Sequence, residues 1–594
     1  MKNRNEIDEK YKADLSLIYK NESEMDEDVE NIKKLTIKIE EYKNKVLENS
    51  DTLLNVLKLM QDYSVLTDRV IVYTYFKYDL DMTNDSLKEK LDTFEDFRIM
   101  GAKKLSFVSI ELKKITLKKW NSFKEENNSL EVYDYYIKEI IRGKKHNLKD
   151  SDEKFFTNLY PILGSNENAY TILTNADFKA NDVIVNGKPE KLTESTYYKF
   201  MVNPDRDVRK NAYKNLMEFY KNHKHTIAEL YKMNVKENNT LASISKYNNA
   251  FEQEMDSNNL KTSIYTNLVE FVKGKISFNK KYISLLKKDL GLEKMYPYDS
   301  LYNKHNSREY SYEECIEIAS KSLEVLGSDY ISKFNKGITS RWIDVYPSEH
   351  KNSSQYSISA SGVVPFIHLN FNSTFEDINT IVHEMGHSIH KIYSEESNHF
   401  IYSDPTTLAT ETAAIVNEML LANYILDNSK NKEEQLFIVH HLLSMIRSTI
   451  FSQTSLAEFE LICHIKDSNY EPLTTESLNE LYSNISSNYA SDEIEKLEES
   501  SYAWMSIPHI FQGGGFYVYK YSLGLMLASG IVYGILNNKD NMKEKYINFL
   551  KSGSSKPDYV LFKELGFDIN KTKYMENSFK MFEKYLEIYE ELLK

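Results

Sequence analysis

Apolar residues recur at spacings of three and four along most of the chain, with charged residues and asparagines between them. The pattern begins at about residue 9 and is illustrated by Leu35, Ile37, Ile39 and Tyr42. A period near 3.6 residues predicts amphipathic helices that each bury one face. The heptad spacing does not persist, so packed antiparallel helices are favoured over a coiled coil. The same pattern resumes at Ser195 and continues to about residue 290.

Two regions depart from the helical pattern. Asn186-Gly187 lies beside a β-branched run within residues 181–192, which is typical of a hairpin turn. Residues 342–346 and 364–371 alternate in part between apolar and polar positions, which predicts two strands of a small sheet joined by a serine-rich connection. Helices are predicted from there to the end of the chain.

The composition indicates a large globular protein. The chain has 594 residues, which suggests two or more lobes, and only 10 prolines and 18 glycines, which favours long helices. A formal net charge of −14 argues against nucleic acid and anionic membranes as partners. Two cysteines, Cys315 and Cys463, form no disulfide framework and fit a reducing compartment.

Two segments bear on the location of the protein. The N-terminal residues are polar, so no signal peptide is predicted. The longest apolar stretch, residues 522–536, contains three glycines and is too short to cross a bilayer, so a buried helix is predicted there. We therefore expect a cytoplasmic protein.

Residues 383–387 read His-Glu-Met-Gly-His and form the strongest chemical signal of the chain. A capping-box pattern at residues 373–376 and the apolar stripe that follows predict a helix through this motif. His383 and His387 would then share one helical face with their Cβ atoms ~6 Å apart, which lets both imidazoles bind one Zn²⁺. Glu384 is placed to act as the general base toward a zinc-bound water.

A third protein ligand is expected downstream of the motif. Glu411 lies among small neutral residues in the segment 406–418, where a solvated carboxylate is less expected, and we assign it as the third ligand. Glu418, seven residues later, is expected to accept a hydrogen bond from a ligand histidine and to fix its tautomer. The alternative is that both are ordinary surface carboxylates. His390 either faces this site or only packs.

At this point the sequence resembles the oligoendopeptidase F family, relatives of thimet oligopeptidase. The resemblance rests on residues 383–390, on residues 341–346 and 365–370 ahead of them, and on Glu411, which falls where the family has its third ligand. It covers most of the chain and is clearest from about residue 195 onward. It implies a mainly α, two-lobed, zincin-like metallopeptidase with a small sheet next to the active-site helix and a deep substrate channel.

The resemblance also implies a division of the chain and an activity. Residues 1–195 would form an N-terminal helical region, similar to the family's N-terminal domain over about 110–185, and residues 196–594 the catalytic domain. One Zn²⁺ per chain and endo-cleavage of short peptides are implied, because a narrow channel excludes folded proteins. The cleavage preference and the oligomeric state are left open.

Residues 504–521 are expected to supply donors to the oxyanion that forms during hydrolysis. The family has a histidine followed by tyrosines here, so His509, Tyr519 and Tyr521 are the candidates. Three glycines, residues 513–515, would form a mobile loop and depart from the aromatic-rich stretch of the family, which leaves the tyrosine alignment open by a residue or two. Ordinary packing is the alternative for each tyrosine.

The predicted reaction is hydrolysis of an internal peptide bond, in which Glu384 takes a proton from the attacking water and passes it to the leaving amine. Residues 366–370 are expected to hold the peptide by backbone pairing. The alternatives are a zinc aminopeptidase, for which no acidic anchor for a substrate amine is found, a zinc carboxypeptidase, and a non-catalytic helical scaffold.

Overall fold

The computed structural model describes residues 3–149, 152, 159, 162–305 and 308–594, and these are mainly helical with two small sheets, as predicted. The first helices are α1 Glu22–Glu40, α2 Ser50–Asp79, α3 Asp85–Leu112, α4 Leu117–Glu126 and α5 Asp134–Arg142. There follow α6 Ser165–Thr174, α7 Glu194–Met201, α8 Arg206–Asn222, α9 Lys224–Ile244, α10 Ala250–Ser257, α11 Thr262–Lys273 and α12 Ile276–Asp289. The next four are α13 Tyr312–Leu323, α14 Ser328–Thr339, α15 Phe375–Ser397 and α16 Thr407–Asn428. The last are α17 Lys432–Ile446, α18 Gln453–Ser468, α19 Thr475–Tyr489, α20 Tyr519–Leu536, α21 Met542–Leu550, α22 Asp558–Leu565 and α23 Lys573–Leu592.

The chain forms two compact units, in line with the predicted two lobes. The first unit consists of Met1–Asn147, Arg308–Leu421 and Gly534–Leu565. The second consists of Leu148–Ser307, Ala422–Tyr533 and Gly566–Lys594. Each unit therefore collects three separate stretches of sequence. The division into an N-terminal region of residues 1–195 and a catalytic domain of residues 196–594 stays a prediction.

The core of the first unit is built on the amphipathic pattern of α1 to α5. Ile32 and Ile39 of α1 are fully buried. Ile37, which the sequence pattern grouped with Ile39, is exposed instead, because two residues along a helix point to nearly opposite faces. The same apolar cluster continues through α2 and α3 and reaches Phe366 beside Phe76, with ring centroids 5.7 Å apart. This core therefore supports the sheet that precedes the metal-binding motif.

The predicted hairpin is present in the second unit. Strands β1 Val183–Val185 and β2 Lys188–Glu190 pair antiparallel around Asn186-Gly187. Both turn residues have positive φ, 50° and 77°, as a two-residue type I′ turn requires.

The second sheet has one strand more than predicted. Strands β3 Ile343–Asp344 and β5 Phe366–His368 correspond to the two predicted strands and pair in parallel. The serine-rich connection contributes β4 Tyr356–Ile358, which pairs antiparallel with β5. Because β5 is central and both of its edges are occupied, the prediction that a peptide pairs with it is wrong for residues 366–368. The outer strands of this sheet are β3 and β4.

Helix α15 carries the His-Glu-Met-Gly-His motif and begins where the sequence indicated, shifted by one residue. The N-cap is Thr374 rather than Ser373, and its capping-box partner is Asp377 rather than Glu376. The Thr374 N–H donates to Asp377 Oδ2 over 2.8 Å. Ser373 has a positive φ of 66° and so lies outside the helix.

Helix α20 contains the long apolar stretch and is buried over nearly its whole length, as predicted. Among the described residues, no helix is long and apolar enough to span a bilayer. The cytoplasmic location stays a prediction.

Candidate metal centre

Three of the residues assigned from the sequence come together in the first unit. On α15 the Nε2 atoms of His383 and His387 lie 3.1 Å apart. Glu411 of α16 approaches with its Oε1 4.0 Å from His387 Nε2, and one ligand atom from each of the three residues lies within 4.8 Å of the others. Among the described residues this is the one such cluster of His, Cys, Asp and Glu side chains. The arrangement fits a single cation with two imidazole ligands and one carboxylate ligand.

A close approach between α15 and α16 brings Glu411 to the histidines. A Cβ atom on Gly386 would lie 2.9 Å from the Ala414 Cα, so only glycine fits at this crossing. Asn417 fixes the register, because its side-chain amide donates to the Val382 carbonyl over 2.9 Å and accepts from the Tyr330 hydroxyl over 2.9 Å. The small residues around Glu411 therefore allow the two helices to pack closely, and this close packing brings Glu411 to the histidines.

Hydrogen bonds on the far side of each imidazole orient the two rings. Glu418 Oε1 accepts from His383 Nδ1 over 2.5 Å, which is the hydrogen bond predicted from the sequence. His387 Nδ1 lies 3.0 Å from the Thr410 hydroxyl. With a proton on each Nδ1, both Nε2 atoms present lone pairs to the space beside the Glu411 carboxylate. Two lone pairs and a carboxylate at these distances are stabilised by a cation, so the residues fit a metal ion.

The pKa values of the clustered residues are shifted by burial and by neighbouring charged groups. Burial lowers the pKa of His383, but the hydrogen bond and the charge of Glu418 outweigh burial and raise it to about 9. Burial and the neighbouring His383 lower the pKa of His387 to about 3. Burial raises the pKa of Glu411. The carboxyl groups of Glu418, Glu384 and Glu411 all act to raise the pKa of His383, so the site gathers acidic groups around this histidine.

Glu384 lies next to the first histidine and is 7% exposed. Burial raises its pKa to about 7, while the charge of His383 and the Ser357 N–H, which donates to its carboxylate, act in the opposite direction. Ser357 belongs to edge strand β4, and its hydroxyl lies 2.9 Å from the Ser388 hydroxyl of α15. A carboxylate with a pKa near neutrality can both accept and release a proton.

The candidates for oxyanion stabilisation belong to the second unit. The Tyr521 hydroxyl lies 3.3 Å from His509 Nε2. Tyr517 completes the group, with its ring 6.0 Å from that of His509 and 5.3 Å from that of Tyr521. Tyr519 is fully buried and packs on Tyr265 with a centroid distance of 4.9 Å, so the structure does not bring it to the His509 group. Burial lowers the pKa of His509, which favours a neutral imidazole at pH 7.

His390 is fully within the interior of the first unit, with its ring 5.8 Å from Phe549. This placement agrees with the packing alternative for this histidine.

Three residues near the candidate groups were not found from the sequence. Ser357 lies in a stretch that shows no strand periodicity, and its role depends on the backbone N–H, which leaves no trace in the residue type. Thr410 is adjacent to Glu411 and could have been found from that spacing. Tyr517 lies two residues before α20 begins at Tyr519, so helical spacing does not account for its placement beside Tyr521.

Comparisons with known families cover nearly the whole chain. The model of peptidase family M3 matches residues 199–581, and the model of oligopeptidase F matches residues 111–179. Oligopeptidase PepF of Bacillus subtilis is 30% identical over 580 residues, which cover 97% of this chain and 86% of the relative. An oligoendopeptidase F homolog of Borreliella burgdorferi is 33% identical over 595 residues, which cover 99% of both chains.

Solved structures with the same fold extend over both units. The crystal structure of a Chlamydophila abortus protein matches with a TM-score of 0.90 and 28% identity and covers 100% of both chains. The structure of oligoendopeptidase F from Enterococcus faecium matches with a TM-score of 0.75 and 25% identity, covering 96% of this chain and 99% of the other. The family resemblance seen in the sequence is thereby confirmed. The chain belongs to peptidase family M3, as a metalloendopeptidase of the oligoendopeptidase F group.

Proposed function

We propose that the chain is a zinc-dependent endopeptidase that hydrolyses internal bonds of short oligopeptides, with His383, His387 and Glu411 as metal ligands and Glu384 as general base. The observation that carries the proposal is the convergence of three ligand atoms within 4.8 Å beside a buried carboxylate. Two imidazoles and one carboxylate form a ligand set that is common for catalytic zinc and leaves a coordination position open.

The chemistry divides between the metal and the chain. Zn²⁺, when bound, acts as a Lewis acid on the scissile carbonyl and lowers the pKa of water. Glu418 and Thr410 hold the imidazoles through Nδ1, so that both Nε2 atoms would be free to bind the ion. Glu384 accepts a proton from the attacking water and transfers it to the leaving amine, so that a carboxylic acid and an amine are the products.

His509 and Tyr521 are proposed as donors to the oxyanion of the tetrahedral intermediate. Their contact of 3.3 Å supports a joint role, because the imidazole orients the hydroxyl. Tyr519 stays a candidate from the sequence only, and its burial favours a packing role.

Strand β4 is proposed to receive the peptide backbone. Its residues 356–358 are half-buried, and β5 occupies only one of its two edges. A peptide that pairs with this edge would lie beside Ser357, whose N–H donates to Glu384. Recognition through main-chain hydrogen bonds makes the side-chain preference broad.

The test of catalysis is the Glu384→Gln variant on an internally quenched peptide blocked at both termini. We expect the wild type to cleave it between blocked ends, and the variant to retain stoichiometric zinc while its kcat falls by roughly 10²–10⁴-fold. Glu376→Gln, at an exposed position in the first turn of the same helix, is the matched control. Unchanged turnover in Glu384→Gln refutes the general base, and cleavage only of unblocked peptides indicates an exopeptidase.

The identity of the metal is tested separately. Purified protein is analysed by inductively coupled plasma mass spectrometry, dialysed against a chelator and then titrated with Zn²⁺. One zinc per chain, loss of turnover on chelation and recovery on titration are expected. A Glu411→Gln preparation that keeps wild-type zinc content contradicts the ligand assignment.

A further inference from the structure

The loop of residues 512–516, which contains the three glycines, has an exposed part and a fixed end within the second unit. Gln512, Gly513 and Gly514 are exposed. Phe516 has a positive φ of 56°, a region that non-glycine residues rarely adopt, and it follows Gly515 with a φ of 73°. Such a conformation persists only where surrounding contacts hold it.

Phe516 is held from both its side chain and its backbone. Its ring is fully buried, with the centroid 4.7 Å from that of His464 and 5.5 Å from that of Phe251. Its backbone N–H donates to Glu460 Oε1 over 2.7 Å. The carboxyl of Glu460 is completely buried on α18. The loop therefore ends on a hydrogen bond to an interior carboxyl.

The fit around Glu460 depends on the glycine that precedes Phe516. A Cβ atom on Gly515 would lie 2.9 Å from Glu460 Oε1, whereas a Cβ atom on Gly514 would meet nothing within 4 Å. The backbone at Gly515 thus rests directly on the carboxyl. Burial raises the pKa of Glu460 to about 8, so the group is mostly uncharged at pH 7.

Burying a carboxyl costs free energy unless hydrogen bonds compensate, and apolar residues at the same place would cost less. Among the described residues, Glu460 Oε2 and both nitrogens of His464 have no hydrogen-bond partner. The hydrogen bond from the Phe516 N–H is therefore the contact that explains why a carboxyl group is buried at residue 460.

The anchored residue lies immediately before the aromatic group with His509. Tyr517 follows Phe516 directly. Between His509 and Phe516 the backbone makes a turn, in which the Gly515 N–H donates to the Gln512 carbonyl. A shift at Phe516 would therefore move Tyr517, and with it the packing between His509 and Tyr521.

We propose that Glu460 is a positioning residue for hydrolysis: by accepting the hydrogen bond from the Phe516 N–H it holds the loop of residues 512–516 and sets the placement of His509 and Tyr521. The proposal rests on the proposed function, in which these two side chains stabilise the oxyanion. It predicts that an acceptor at residue 460, rather than a charge, is required.

The test compares Glu460→Leu, which removes the acceptor, with Glu460→Gln, which keeps a carbonyl oxygen at the Oε1 position. Glu458→Leu is the matched control, because Glu458 is a second buried carboxylate on α18 whose partners, Tyr489 and Lys273, lie outside the loop.

Nicking of the full-length protein by proteinase K is mapped by mass spectrometry. The kcat and KM are measured on the blocked peptide, and the zinc content is measured on the same protein preparations. We expect Glu460→Leu to be nicked within residues 512–516 at least about tenfold faster and to lose at least about tenfold in kcat at unchanged zinc content. Glu460→Gln and Glu458→Leu should match the wild type in both.

A second pair of variants covers the case in which Glu460→Leu does not fold. Gly515→Ala places a Cβ atom against the carboxyl, and Gly513→Ala, which also changes a residue with a positive φ, places one in open space. Faster nicking and lower kcat are expected for the first, and a much smaller change for the second, which shares the backbone strain but not the contact with Glu460.

The outcomes separate this proposal from the proposed function. Failure of the wild type to cleave any blocked peptide refutes the function, while the nicking rates still test the loop anchor. Wild-type nicking and kcat in Glu460→Leu, or equal defects in Glu460→Gln and Glu460→Leu, overturn the positioning role. Equal loop nicking in Glu458→Leu and Glu460→Leu also overturns it, since general destabilisation would then explain both.

Discussion

Gly386 of α15 lies against the Ala414 backbone of α16, the other helix that carries a metal-binding residue, and an ideal Cβ on Gly386 would lie 2.9 Å from the Ala414 Cα. The obstacle is backbone, so a side chain at residue 386 cannot be accommodated by a rotamer change. The groups that must converge lie within one turn of this contact, His383 and His387 on one helix and Glu411 on the other. The distance between these helices therefore controls the site.

Gly386→Ala should separate the helices and weaken zinc binding. Overpacking of this kind costs about 1–3 kcal/mol of stability, and we expect a lower melting temperature together with a reduced zinc affinity. Gly143→Ala is the control, because a Cβ atom there meets nothing within 4 Å. Thermal unfolding with and without added zinc measures both effects, and wild-type zinc affinity in Gly386→Ala would show that the crossing does not set the site.

Glu418 should determine zinc affinity without touching the ion. Removing the partner of a ligand histidine typically weakens metal binding by roughly 10–100-fold. We expect that loss in Glu418→Ala and a smaller one in Glu418→Gln, which can still accept from His383 Nδ1. Competition with a chromophoric zinc chelator measures the affinity, and Glu396→Ala, at an exposed position on α15, serves as control. Equal affinities in Glu418→Ala and the wild type contradict the role.

The Ser357 N–H should be required for catalysis and its hydroxyl much less so. Ser357→Pro removes the N–H that donates to Glu384, and the edge position of β4 tolerates proline. A hydrogen bond to a charged group contributes about 1.5–3 kcal/mol, so kcat should fall by roughly 10–150-fold. Ser357→Ala keeps the N–H and should change kcat little. If both variants lose activity equally, the contact between the Ser357 and Ser388 hydroxyls is the important one.

The stability of the first unit should fall in acid through Asp344. Burial disfavours its charged form, but hydrogen bonds and charge from Arg4 and Lys351 outweigh burial and lower the pKa to about 2. An Asp pKa is near 3.9 in an unfolded chain, so the folded state binds the proton less tightly. The stabilisation is therefore present above about pH 4 and is lost as the pH falls toward 2.

Asp344→Asn tests this assignment. Breaking a buried ion pair costs roughly 3–5 kcal/mol, so the melting temperature at pH 7 should drop clearly below that of the wild type. The difference between the two proteins should narrow between pH 4 and pH 2, because the stabilisation from the Asp344 carboxylate is lost over that range. The exposed Glu349→Gln serves as control. A difference that stays constant over this range would show that another group is responsible.

The local features of the fold were predictable because they depend on near neighbours in sequence. Spacing and residue type predict the helix through residues 383–387, with its capping box placed to within one residue. They also predict the hairpin at Asn186-Gly187 and the buried helix α20. The pairing of His383 with His387 has the same basis, since one helical turn fixes their distance.

The tertiary structure alone decided which distant groups meet. The segment containing Ser357 has no strand pattern of its own and becomes a strand because β5 offers it backbone partners. The aromatic group at His509 consists of Tyr517 and Tyr521, which lie four residues apart, while Tyr519 between them points into the core against Tyr265. The sequence by itself determined the chemistry of the metal ligands and the helix that presents two of them. Packing between segments far apart in the chain, which no local pattern encodes, decides three other features. These are the approach of Glu411 to the two histidines, the position of β4 at the edge of its sheet and the burial of Glu460.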